Sequence, residues 1–407
     1  MHSFFSWVDF SEEERQEMME LLHILNEHEI REELGLGSIR DAFSDILFPG
    51  TSVLQTRAKY MLLVPWIFLK HERRQTSSED IAASTRYDEI QTIFSLIRAG
   101  EKDGVLGSVA KHNLKILPSS IYWTGLGRWG IRLFNGSLYQ YFRSLDSFYF
   151  YEKNKVISDD KELVGEIKGN WNPSLPVPPK YFPEYISLSL KPKEAEYLHD
   201  RILASCSQSL LAFLVDKTRP TRKVPFVWFH PRIEKFPKEL RKVVYHAQNF
   251  SEVMHSAALL YNLMLSEKIK NEELIEKYRK KLVKWAEEIE KRFNEINKWD
   301  LSEFWDIARA EKGHIPFRTV RFVEEWIQII KDRKKMRKIS DSDKARRLVY
   351  NREVSIKGNR SRLKNPQMLK QWSGTSAAGA LDFRWKFVQR IVKDILYGLK
   401  GNKATDA

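Results

Sequence analysis

The feature that most restricts this fold is a run of apolar residues at helical spacing. Leu274, Tyr278, Leu282, Trp285, Ile289, Phe293 and Ile296 are separated by steps of 4, 4, 3, 4, 4 and 3. With about 3.6 residues per turn, such steps keep every side chain on one stripe, whereas a strand would divide them between its two faces. The spacing predicts an amphipathic helix over 274–296, long enough for a short coiled-coil seam. Ser11-Glu12-Glu13-Glu14 fits a capping box and predicts a first helix ending near Leu34-Gly35. Ser38 caps a second from Ile39 to Phe48, which Pro49-Gly50 stops. A third is expected from Val53 to about Lys70, kinked at Pro65, and a fourth from Ser78 to about Ala99-Gly100. The last, about Leu381 to Tyr397, lines up Trp385, Val388, Val392, Ile395 and Leu399. Only 224–229 (Val-Pro-Phe-Val-Trp-Phe) suggests a short strand. The expected class is mainly α: multi-helical, in two helical domains joined by a Pro-containing extended linker, with little β.

The chain of 407 residues has room for two or three domains. Residues 1–151 read as an N-terminal helical domain, acidic in its first helices and aromatic in its second half. Regular signals fade over 152–192, where Asn170-Trp171-Asn172-Pro173 and Pro176-Val177-Pro178-Pro179 suggest a linker or surface strap. Residues 193–407 read as a C-terminal helical domain. No stretch approaches the roughly 18 apolar residues that span a bilayer. The opening residues carry no basic stretch, and Cys206 is alone, so neither a leader nor a disulfide framework is expected. A cytoplasmic location, away from membranes, is the expectation.

Charge is unevenly placed. The formal net charge is +14, yet the first fifty residues hold twelve acids against three arginines. Residues 331–370 hold fifteen Lys or Arg against four acids. Such a cluster is the footprint of a polyanion site, because each cation set on a phosphate releases condensed counterions. It is equally the look of a solvated helical face. The candidate nucleic-acid contacts are Arg333, Lys334, Lys335, Arg337 and Lys338, then, beyond Lys344, Arg346, Arg347, Arg352, Lys357, Arg360, Arg362 and Lys364. A helix over 344–354 followed by Gly358 would give a helix and a basic loop suited to tracking a phosphate backbone. Tyr350 and Trp372 could stack a base, although core packing suits each better. Arg57, Lys59, Arg73, Arg74, Arg219, Arg222 and Lys223 form weaker patches.

Catalytic motifs are sparse. Gly125-Leu126-Gly127-Arg128-Trp129-Gly130 matches the dinucleotide glycine spacing but lacks the strand and βαβ context, so it reads as a turn between short helices. Gly374–Gly379 has phosphate-loop spacing, with Ala380-Leu381 where lysine and a hydroxyl are required. Asp160, Glu166 and Lys168, with Asp159 beside them, resemble the acid and acid-x-Lys pattern of metal-dependent nucleases, in which carboxylates hold Mg²⁺ and lysine steadies charge. His23 and His28, and His246 and His255, do not share helix faces, so no metal site is expected, nor any cofactor. Cys206 reads as a core thiol.

Leu36–Phe43, Leu47–Ser52 and Gln55-Thr56-Arg57-Ala58-Lys59-Tyr60 resemble the opening of an uncharacterised bacterial family of about four hundred residues, carrying only a domain-of-unknown-function label. Asn351-Arg352-Glu353, Arg362-Leu363, Gln371-Trp372-Ser373-Gly374 and Phe383-Arg384-Trp385 resemble its C-terminal end, so the likeness covers nearly the whole chain. The resemblance implies a place in phage-defence gene islands beside helicase, phospholipase-D-like nuclease or methyltransferase genes. It supplies no catalytic residue. The expectation is a non-enzymatic accessory subunit of an anti-phage system, binding DNA rather than RNA through 331–370 and docking on a helicase or nuclease. The alternatives are a metal-dependent nuclease using Asp160, Glu166 and Lys168, or a protein-only scaffold.

Overall fold

A computed structural model describes residues 33–154 and 169–401. Among them sixteen α-helices follow one another: α1 Gly37–Leu47, α2 Tyr60–Arg73, α3 Ile81–Arg98, α4 Pro118–Arg128, α5 Leu138–Asn154, α6 Pro192–Cys206, α7 Leu210–Lys217, α8 Lys238–Lys268, α9 Glu272–Lys291, α10 Phe293–Asn297, α11 Leu301–Lys312, α12 Phe317–Ile330, α13 Arg333–Arg337, α14 Asp343–Lys357, α15 Pro366–Lys370 and α16 Trp385–Lys400. No strand occurs among the described residues; one isolated bridge joins Arg132 and Trp171. The mainly α reading holds. The first expected helix, over 11–35, lies almost wholly outside the described residues, as do His23 and His28.

The described chain gathers into two compact units, one of residues 48–224 and 384–401, the other of 33–47 and 225–383. These divisions fall elsewhere than 152–192. In the first unit the proline-containing stretch runs over the surface between buried ends: Trp171, Ile186 and Leu188 are buried and the Trp171 indole donates to Glu72, while residues 172–185 are partly or fully exposed. Phe68, Trp123, Tyr141 and Trp171 pack at ring separations of 5.4–6.0 Å. In this unit α16 lies on α6, where a Cβ on Gly398 would come 2.6 Å from that of Ala195. The third expected helix begins only at Tyr60. Residues 51–59 turn instead, because their polar groups bind each other: Ser52 N–H donates to Gln55, and the Gln55 amide donates to Gly50.

The second unit is organised on α8, thirty-one residues long and buried along its length from Leu240 to Leu265. Helices α9, α12, α14 and α1 lie against it. Asn271 caps α9 by accepting from Leu274 N–H, and Tyr278, Leu282, Trp285 and Ile289 then fall on its inner stripe. The expected helix over 274–296 is broken at Arg292, whose side chain turns onto Glu252, Asn249 and Glu295, so Ile296 belongs to α10. The strand expected at 224–229 is a 3-10 turn, Val227–Phe229. Pro225 has no N–H for a ladder, and the Phe226 and Trp228 rings stack at 4.7 Å instead.

Candidate nucleic-acid interface

Residues 331–370 belong to the second unit and are built as helix, turn, helix and loop. Asp332 caps α13 by accepting from Lys334 and Lys335 N–H, and Ser342 caps α14 by accepting from Ala345 N–H. Ala345, Val349, Arg352 and Glu353 form the buried stripe of α14. The opposite stripe, Lys344, Arg347, Asn351 and Ser355, is exposed. The helix stops at Gly358, which has φ +54, a conformation that strains a side-chain-bearing residue.

The loop beyond Gly358 is folded around one carboxylate. Glu353 is 0% exposed and accepts from Ser361 Oγ, from Arg362 N–H at 2.8 Å, from Leu363 N–H at 3.4 Å and from Tyr261 Oη at 3.2 Å. Glu33 forms a second anchor, pairing with Lys357 Nζ and, at 2.9 Å, with Arg362 Nη1. Burial alone would raise the Glu33 pKa, but Lys357 and Arg362 hold it below the usual carboxylate value. Arg362 also donates to Ser376 Oγ at 2.6 Å. Arg352, 8% exposed, donates to the carbonyls of Leu34 and Gly35 and to Thr319. Arg346 grips Glu267 with both terminal nitrogens, at 2.6 and 2.9 Å. That fork holds its guanidinium pKa above the ordinary value.

The twelve cations expected at the interface therefore fall into three sets. Arg346, Arg352, Lys357 and Arg362 are spent inside the unit, on carboxylates and carbonyls, and are not available to phosphate. Arg333 and Arg337 share Glu290, and Lys335 pairs with Asp332, in partly exposed contacts. Lys334, Lys338, Arg347, Arg360 and Lys364 are exposed, with no carboxylate partner among the described residues. Lys344 and Lys370 join this last set. Nothing local in the sequence singles out Lys370, which lies past the asparagine-punctuated loop; its exposure on the five-residue α15 is a tertiary fact. From Lys344 to Leu381 the sequence has a single carboxylate, Glu353, and it is buried.

The other candidates resolve structurally. Asp160, Glu166 and Lys168 lie outside the described residues. Among the described residues no group of His, Cys, Asp and Glu could hold a metal ion. Gly125 sits inside α4, where a Cβ would come 2.4 Å from the Gly50 carbonyl, so close packing accounts for that glycine. The 374–379 loop spends its Ser376 N–H on Asn262 Oδ1 at 2.8 Å, and Asn262 donates back to the Ser376 carbonyl. Cys206 is buried, and burial pushes its thiol pKa up, as a core thiol requires. His246 is neutral-favouring through burial; it accepts from Trp299 at Nδ1 and faces Glu303 through Nε2. Arg57 and Lys59, expected as part of a weak patch, pair with Asp394 and Glu194 within the first unit. Trp372 is 7% exposed and Tyr350 is 37% exposed, so of the two only the tyrosine is presented to solvent.

Among the described residues no helix is long and apolar enough to cross a membrane. No curated protein and no solved structure matches the chain. Residues 2–397, including both the opening and closing motifs and the whole of α14, match one family, and the chain belongs to it: the family of unknown function DUF6361.

Proposed function

We propose that this protein binds nucleic acid, without catalysing a reaction on it, through the outer stripe of α14 and the loop that follows. The observation that carries this reading is that, after the exposed Asp343 at its first residue, α14 and the loop that follows expose no carboxylate as far as Leu381, while Lys344, Arg347, Arg360, Lys364 and Lys370 are at the surface. A solvated helical face ordinarily mixes both signs, whereas a surface of one sign attracts a polyanion. Asn351, Asn359, Gln367 and Gln371 stand exposed between the cations and supply neutral hydrogen-bonding groups. The resemblance to a family of phage-defence islands extends the proposal: an accessory subunit in the cytoplasm that docks on a helicase or nuclease and brings it to DNA.

The test is binding of labelled nucleic acid across a salt series. Each phosphate neutralised contributes a slope of about −0.9 in log K against log salt. Changing Lys344, Arg347, Arg360, Lys364 and Lys370 together to alanine is expected to flatten the slope by up to about 4.5 and weaken binding. Binding that keeps its slope in this variant would overturn the assignment. Plasmid cleavage in Mg²⁺ that is lost in Glu166→Gln would favour the nuclease alternative instead.

A further inference from the structure

We infer that α14 is a groove-reading helix and that the ligand of its outer stripe is B-form duplex DNA, with Arg347 and Asn351 as the specificity-determining residues. This rests on the nucleic-acid reading above and adds the class of ligand to it.

The argument begins with shape. Fifteen residues at about 1.5 Å rise give α14 a length of about 22 Å. A helix of about 10–12 Å diameter matches a B-DNA major groove of about 12 Å. An RNA duplex has a deep and narrow major groove that side chains cannot reach. The outer stripe also carries its charges in a suitable order. Lys344 stands in the first turn beside the exposed Asp343, and Arg360, Lys364 and Lys370 lie beyond the last, so the C-terminal end offers most of the cations to the phosphate rims and the N-terminal end offers one. Between those ends stand Arg347 and Asn351, one turn apart, exposed, and with no side-chain hydrogen bond to another described residue. A guanidinium presents two parallel donors that match the O6 and N7 acceptors of guanine, and a carboxamide matches the N7 acceptor and N6 donor of adenine.

Composition of the surface argues against single strands. Binding them takes a row of exposed aromatic faces on which successive bases stack. From 331 to 383 the aromatic residues are Tyr350, Trp372 and Phe383, and the last two are buried. One tyrosine on the flank of α14 makes no platform, but its ring edge can meet a thymine methyl in the groove. The cations that could have confused the stripe are withdrawn from it: Arg346 and Arg352, the immediate neighbours of Arg347 and Asn351, point inward onto Glu267 and onto the Leu34 and Gly35 carbonyls.

The experiment uses the full chain with a DNA duplex, an RNA duplex and a DNA single strand of equal length, read by anisotropy. Methylation protection at guanine N7, an atom of the major groove, is read on the DNA duplex. The DNA duplex is expected to bind at least about tenfold more tightly than the RNA duplex, the loss that one or two missing base contacts produce. Guanine N7 is expected to be protected, and Arg347→Ala with Asn351→Ala is expected to abolish protection while Lys364→Ala leaves it in place. The double variant's thermal melt should match the parent's, since both side chains are exposed. Equal or tighter binding of RNA or of single strands, or unprotected N7 on a bound duplex, would overturn the groove-reading inference and leave the nucleic-acid reading standing. Failure to bind any of the three would overturn both.

Discussion

Arg346 and Arg347 are neighbours in sequence and opposites in circumstance. Arg346 is locked on Glu267 through two hydrogen bonds and on the Ser340 carbonyl through a third, while Arg347 is exposed and has no carboxylate partner among the described residues. The same division recurs at Arg352 against Asn351 and at Arg362 against Lys364. About 100° of helical rotation per residue separates one circumstance from the other in α14. A cation on the inner side must be neutralised or fully hydrogen-bonded, because leaving it bare costs several kcal/mol. A cation on the outer side is solvated at no such cost and remains available. Charge count alone therefore overstates the interface, and the geometry divides one basic segment into an internal clamp and an external stripe.

The sharpest way to break that comparison is to remove the centre of the clamp. Glu353→Ala leaves the Arg362 and Leu363 N–H groups, Ser361 and Tyr261 without their acceptor and Lys357 without one of its two carboxylates. A loss of about 3–5 kcal/mol is expected in urea unfolding, the range for stripping one partner from a buried charged network. A loss under about 1 kcal/mol would mean the loop does not depend on that carboxylate.

Next in size is the neighbouring pair. Arg346→Ala should lower stability by about 1–3 kcal/mol, because it strips the two shorter hydrogen bonds from the partly buried Glu267 and leaves it only Arg279 at 3.4 Å. Arg347→Ala should stay within about 0.5 kcal/mol while weakening DNA binding. If the two variants exchanged these effects, the division into clamp and stripe would be wrong.

Acid titration should separate the sets in a third way. The Glu33 carboxyl is held below its usual pKa, burial opposing and Lys357 and Arg362 prevailing, so its stabilisation is present above that range and is lost as the pH falls through the folded value. His230 adds to the same trend. Burial, with Arg232 beside it, lowers its pKa from 6.5 to about 4, so between those values the unfolded chain binds the extra proton and stability falls as the solution is acidified. The urea midpoint is therefore expected to drop between pH 6.5 and 4 through His230 and to drop further below pH 4.5 through Glu33, the second drop being smaller in Lys357→Met, which already lacks the Glu33 partner.

Much of this architecture is legible in the sequence because its signals are local. The stripe at 274–296, the glycine ending α3 at Gly100 and Gly358 after α14 all act within a few residues. What the sequence withholds is long-range pairing. Glu33 lies more than three hundred residues from Lys357 and Arg362, and Glu267 lies 79 from Arg346, so no window of residues shows which cations are spent. The turn in place of a strand at 224–229 has a related cause. Its β-branched and aromatic composition suits a sheet, but a strand needs a neighbouring edge, and Pro225 and the Phe226–Trp228 stack favour a turn. The division of the chain is hidden for the same reason: residues 33–47 return to helices more than two hundred residues away, Phe43 stacking on Phe304 at 5.3 Å.

The smallest effect concerns the middle set, where the ion pairs are exposed and weak. Arg333 and Arg337 both reach Glu290, at 2.9 and 3.1 Å, but their side chains are about half exposed. Exposed ion pairs contribute about 0.2–1 kcal/mol and are screened by salt. Arg337→Ala is therefore expected to change stability by no more than about 0.5 kcal/mol, and less at high salt. Such weak pairs can open toward a phosphate at little cost, so Arg337→Ala should also reduce the salt slope of DNA binding by up to about 0.9 if α13 reaches the backbone, and by nothing if α14 acts alone. Glu290→Gln turns the same comparison round. It frees both arginines without removing either, and a steeper salt slope in that variant, with the urea midpoint unchanged, would extend the stripe from α14 back to α13.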